Sequence, residues 1–227
     1  MRPGFWELFG TYLSGNTERI LSALGEHVWL SLLPVVLGLI IALPLGYLAQ
    51  HYRWLYPPMM GTAGILYTIP SLALFVALPT ILGTQILDPI NIVIALTIYT
   101  TALLVRTVAD GLDSVSTETV QAATAMGFTA FSRFIKVELP IAVPVIAAGL
   151  RVATVSNISL VNVGALIGVG GLGELMTDGF TRDFVQPIII SIILSVLLAL
   201  VADFLIVAVQ RYLTRWNRVG ETATVTT

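Results

Sequence analysis

Gln121 to Pro140 reads QAATAMGFTAFSRFIKVELP, a polar, small-residue segment set between long apolar runs. Ser116 or Thr117 can cap a helix from Glu118 to Met126, because a hydroxyl at that position accepts from the free N–H groups of the first turn. Gly127 can end the helix in the left-handed conformation. Phe128, Phe131 and Phe134 then stand as apolar knobs beyond the break. Leu139-Pro140 starts the next helix, since proline suits a first turn. Such a small-faced helix can seat closely in a groove of another protein. The plainer alternative is an amphipathic helix on the membrane surface with no partner.

Around this segment the chain is lipid-soluble. Hydrophobic residues make up 56% and charged residues 11%, with a mean hydropathy of +0.92, against roughly 25% charge in an ordinary soluble domain. The expectation is an all-α integral membrane protein of about five transmembrane helices, at about 20 residues per span. The apolar runs are 28–48, 59–82, 90–108, 141–169 and 187–209. Within these residues no room is expected for a soluble ATPase or a substrate-binding domain. Residues 1–26 carry Phe5, Trp6, Phe9, Tyr12 and Leu13 at helical spacing and read as an N-terminal interfacial helix, without a cleavable signal. Residues 27–215 are expected to form the transmembrane domain, with a loop at about 111–140, and 216–227 a polar, disordered tail. With the N-terminus outside, Arg53, Arg106, Arg133, Lys136, Arg211, Arg215 and Arg218 all fall inside the cell, and only Arg2, Arg19 and Arg182 outside, as basic residues prefer. The net charge of −2 suggests no nucleic-acid partner. The chain has no cysteine, which excludes disulfides and thiolate chemistry.

The loop resembles the cytoplasmic coupling loop of the membrane subunits of binding-protein-dependent ABC importers. That pattern is Glu-Ala-Ala, three residues, Gly, nine residues, then an aliphatic residue, any residue and Leu-Pro. Ala122, Ala123, Gly127, Val137, Leu139 and Pro140 fall in register, and Gln121 stands where Glu is usual. Further stretches, GEHVWLSL (25–32), YTIPSLALF (67–75), MGFTAFSRFIKVELPIAVPVIAAGLR (126–151) and ALIGVGGLGELMTDG (165–179), are similar to the glycine betaine, carnitine and choline osmoprotectant permeases. Methionine-type amino-acid permeases share the loop and the glycine-rich stretch. The resemblance implies a type I ABC importer permease fold in the bacterial cell membrane. It also implies ABC ATPase subunits, an extracytoplasmic substrate-binding protein and a second permease subunit, identical or related, as partners. ATP and Mg would be used by the ATPase, with no cofactor in this chain.

Within the spans, Pro70 would break the second one, with Thr68 and Ser71 partly satisfying the freed backbone; the break either bends the helix around a pathway or shapes packing. Asn157, Ser159 and Asn162 either bond between helices or line a wet cavity. Tyr67 and Tyr99 offer aromatic faces to a passing cation, or serve packing. Arg151, about ten residues into its run, is expected to pair with Asp203; the alternative puts both near the cytoplasmic rim. Gly164, Gly168, Gly170, Gly171 and Gly173 suit either a subunit contact or a flexible gate. No Lys-Ser/Thr follows them, so they are not a phosphate loop. His27 and His51, expected at opposite ends of the first span, cannot share a metal. No nucleophile, base and acid constellation is present, so neither a catalytic nor a metal site is expected. An ion-coupled secondary transporter would concentrate ionisable residues at mid-membrane and show internal repeats.

Overall fold

Lipid offers no hydrogen bonds to a backbone, so apolar runs of this length are confined to helices. The computed structural model describes residues 4–216, with no strand among them. In chain order the α-helices are α1 (Phe5–Gly15), α2 (Thr17–His51), α3 (Tyr56–Thr68), α4 (Ser71–Leu82), α5 (Ile90–Asp113), α6 (Thr117–Ala125), α7 (Ala130–Arg133), α8 (Leu139–Gly164), α9 (Leu172–Thr181) and α10 (Val185–Leu213). Four helical stretches can each cross a membrane: Thr17–His51, Ile90–Asp113, Ala130–Ile167 and Val185–Leu213. A fifth crossing forms if α3 and α4, bent by 99° to each other, count as one span.

α5 runs through the centre and touches α2, α3, α4 and α8. Helices in lipid gain little from hydrophobic association, so close packing at small residues decides which pair. On α2, Gly38, Ala42 and Gly46 recur every fourth residue. A Cβ on Gly38 would lie 2.5 Å from Thr100 and one on Gly46 2.6 Å from Val108, so only glycine allows α5 this close. Leu30, Phe75, Ile92, Leu96 and Val161 fill one end of the core, and Ala42, Leu104, Val108, Ala142 and Ile146 the other.

Several expectations are corrected. The helix holding the first apolar run begins at Thr17, well before Val28, so His27 lies inside it and not at its end. The charges that suggested a surface segment there are satisfied by α9: Arg19 donates to Asp178 at 2.8 Å, and Glu26 accepts from the Gly171 N–H at 3.1 Å. Leu139-Pro140 opens α8 with Pro140 in its first turn, as expected, but without a break from what precedes it. The chain is already helical from Ala130, through a π turn at Phe134–Glu138. Pro140 has no N–H, and its ring would crowd the carbonyl of residue 136 in an unbroken α register, which the wider turn relieves. α9 went unread because glycines dominate its approach. The tail from 217 onward lies outside the described residues.

Candidate functional site

The bend between α3 and α4 falls at Ile69-Pro70. Pro70 has no N–H to offer the Leu66 carbonyl, which accepts from the Ile69 N–H at 3.4 Å, and the bend leaves the Ile69 carbonyl outside both helical ladders, where the Tyr99 hydroxyl of α5 donates to it at 2.5 Å. Thr68 instead donates back to the Ile65 carbonyl at 2.7 Å, and Ser71 opens α4, so neither plays the satisfying role expected of it. The Tyr67 ring meets Tyr99 edge to face, centroids 6.0 Å apart. Tyr67, Ile69, Ser71, Tyr99 and Leu160 line an open pocket of about 190 Å³. Tyr67 also lines a second pocket of about 300 Å³ with Gly64, Arg106 and Thr107. The bend thus brings Tyr67, Pro70, Ser71 and Tyr99 together, and the tyrosine rings supply the negative faces that attract cations.

The polar cluster of α8 disperses. Asn157 is buried and donates to the Ser31 carbonyl of α2 at 3.3 Å and to Thr100 Oγ1 of α5 at 2.9 Å. Asn162 donates to Ser195 Oγ of α10 at 3.3 Å. Ser159 is exposed on α8. Asn157 and Asn162 are therefore interhelical links. Arg151 meets Asp203 as a bidentate pair, Nε to Oδ1 at 2.5 Å and Nη2 to Oδ2 at 2.9 Å. It sits about 18 Å along α8 from Leu139 at 1.5 Å per residue, near the middle of that helix.

At the opposite end from α6, α9 is clamped by residues whose role is invisible in sequence. Buried His27 faces the Ile158 carbonyl with Nε2 at 3.0 Å and the Leu172 N–H with Nδ1 at 3.2 Å. A carbonyl can only accept and an N–H only donate, which fixes the neutral tautomer protonated on Nε2. Ser191 donates to the Leu172 carbonyl at 2.6 Å, tying in α10. The glycines expected to serve a subunit contact or a gate face neighbours within this chain: a Cβ on Gly164 would meet Ile92, one on Gly170 Glu26 and one on Gly171 His27. On α9, hydrogen bonds from Arg19 hold the Asp178 carboxyl below the usual carboxylate range against the opposing effect of burial, and Arg182 adds to the lowering.

The loop helix α6 is capped as its sequence suggests: the Thr119 N–H donates to Ser116 Oγ at 3.3 Å. Gly127, with φ of 86°, closes it. The Phe128 N–H bonds the Ala123 carbonyl at 3.2 Å and the Gly127 N–H the Thr124 carbonyl at 3.0 Å, a Schellman motif. Gln121, Ala122, Ala125 and Met126 are exposed, whereas Ala123 is 1% exposed, so its methyl faces this chain and not a partner. Of the three phenylalanines, Phe131 is 76% exposed, but Phe134 packs tilted against Tyr47 of α2, with ring centroids 4.7 Å apart, and is no outward knob.

A family model described as the binding-protein-dependent transport system inner membrane component matches residues 29–215. The osmoprotectant import permease protein OsmW of Salmonella typhimurium is 36% identical over 89% of this chain and 95% of its own length. The glycine betaine/carnitine/choline transport system permease protein OpuCB of Bacillus subtilis is 29% identical over 90% of this chain and 93% of its own. Among solved structures, the inward-facing MetNI methionine ABC transporter superposes with a TM-score of 0.77 at 23% identity, over 86% of this chain and 96% of that one.

Proposed function

We infer the function from one premise: the chain belongs to the family of inner membrane components of binding-protein-dependent transport systems. It is the translocation subunit of an ATP-driven importer for quaternary-amine compatible solutes such as glycine betaine, carnitine or choline. Likeness along nearly the whole chain to a permease named for osmoprotectant import is the observation that carries this reading. The bend pocket agrees with it, since Tyr67 and Tyr99 can pass a quaternary ammonium by cation–π attraction without holding it tightly.

The partners are two ABC ATPase subunits, an extracytoplasmic binding protein and a second permease, identical or related. The exposed surface of α6 and of the turn and short helix after it, with Gln121, Ala122, Met126 and Phe131, seats in the ATPase, and ATP with Mg is consumed there. Gln121, where the family usually has Glu, forgoes a charged contact. Ala123, Gly127, Val137, Leu139 and Pro140 shape the loop from within. The N-terminus lies outside the cell and the C-terminus in the cytoplasm, which puts Arg53, Arg133, Lys136 and Arg211 on the inner side. Tyr67, Ser71 and Tyr99 border the path, which Pro70 opens by bending the span.

Methionine-type import is the second reading, favoured by the fold of the solved neighbour. Proteoliposomes carrying the permease with its operon's ATPase and binding protein should take up labelled glycine betaine, choline or carnitine on adding internal ATP. Uptake of methionine but of no quaternary amine would overturn the substrate class. ATP-independent uptake driven by an ion gradient would overturn the transporter class.

A further inference from the structure

The turn between α6 and α7 is short and exposed, and it is built around a glycine with positive φ. Left to itself, such a turn is a hinge. Among the described residues α6 packs against α7 and the π turn. A push on α6 would therefore bend the chain at Gly127 unless something holds the angle.

Arg133 does so. Its Nη1 donates to Thr124 Oγ1 in the last turn of α6 at 2.8 Å, and its Nε donates to Glu138 Oε1 at 2.6 Å. The side chains of Arg133 and Glu138 are 18% and 6% exposed, so this is an interior pair and not a surface one. The guanidinium plane fixes both donors in one rigid fork, which a lysine cannot reproduce. Spacing makes the pair more telling. In an α-helix only residues three or four apart share a face. Arg133 and Glu138 are five apart, and the π turn at Phe134–Glu138, where the Leu139 N–H reaches the Phe134 carbonyl, brings them together. π turns inside α-helices occur frequently at functional sites. The same turn rests on α2 through Phe134 and Tyr47.

We propose that Arg133 is a positioning residue that braces α6 to the root of α8 through Thr124 and Glu138, so that displacement of α6 by the ATPase moves α8 and not merely the turn. This rests on the reading of α6 as the ATPase seat. The brace needs the π turn, because only that register turns Glu138 towards Arg133. α8 then carries the motion past the bend pocket, which Leu160 lines.

The test uses the whole complex, permease with ATPase and binding protein, in proteoliposomes. Arg133→Lys and Glu138→Gln should leave ATPase binding and hydrolysis in place while lowering substrate molecules carried per ATP by at least about fivefold, the low end of typical coupling between sites. Combining the two should lower the ratio no further. An unchanged ratio in both single variants that assemble normally overturns the brace. The seat reading is judged separately: Met126→Asp with Phe131→Asp should release the ATPase, and retention of it with normal uptake overturns the seat and not the brace. Should Arg133→Lys fail to assemble, spin labels at Ala122→Cys and Ala148→Cys report directly, since the chain has no native cysteine. The distance distribution between α6 and α8 should be narrow in the parent and broad in Arg133→Lys. Equal widths overturn the proposal.

Discussion

Single side chains settle where this chain's stranded backbone groups find partners. Tyr99 is 5% exposed, and its hydroxyl serves the Ile69 carbonyl left open at the bend between α3 and α4. Tyr99→Phe keeps the ring edge against Tyr67 but leaves that acceptor unpaired, at a cost of about 1–3 kcal/mol. Unfolding of the purified permease in detergent should show that loss, and unchanged stability would mean that water replaces the hydroxyl. Arg151 and Asp203 pair at matching depth on α8 and α10. Neutralising either alone should lower the amount of folded permease, because a lone charge in the span lacks its partner. The swapped variant, Arg151→Asp with Asp203→Arg, should recover part of it on membrane immunoblots, and no recovery would sink the pairing as a contributor to folding. This pair was legible in the sequence because Asp203 is the one acid well inside an apolar run. His27 was not, since its two partners, Ile158 and Leu172, lie far along the chain and offer only backbone atoms.

Helices were read well where period and punctuation agreed, and badly where a tertiary contact overrode them. Ser116 and Gly127 announced α6 correctly, because caps are local chemistry. The continuation of α2 back to Thr17 was hidden, because Arg19 and Glu26 look like surface charge until α9 supplies partners. Gly127 lies at φ of 86°, where an L-residue costs roughly 1–2 kcal/mol and a β-branched one more. Gly127→Val should therefore depress ATP-driven uptake without altering the affinity of the binding protein for substrate; normal uptake would show that the loop tolerates another closure. The clamp on α9 has a pH sense. Asp178 has its carboxyl depressed by Arg19 while docked and returns to about 4 when α9 is released. The clamp's contribution is thus complete above about pH 4 and is lost as pH falls through the depressed value. Hydrogen exchange in α9 should quicken only in that acid range, and Asp178→Asn should abolish the dependence. Quickening already between pH 7 and 5 would assign the change to another group.

At the scale of the whole molecule, the type I importer fold was legible from composition and one loop, while the course of the proposed path was not, because the bend at Pro70 and the dispersal of Asn157, Ser159 and Asn162 depend on packing. What the bend assembles is modest: two tyrosine rings, a serine and about 190 Å³, too little for a full aromatic cage around a quaternary ammonium. Tight binding would also oppose release, as in conduction through channels. Selection should therefore reside in the external binding protein, with this subunit giving a weak, transient route. Exchanging the binding protein for one of different quaternary-amine preference should shift the transported substrate, provided it still docks. Tyr67→Ala should lower the transport rate far more than it alters preference, whereas Asn157→Ala should act through stability, since Asn157 links α2, α5 and α8. Competition uptake in proteoliposomes separates these outcomes. Submicromolar binding of one quaternary amine to the permease and ATPase without any binding protein would move selection into the membrane and refute this division of labour.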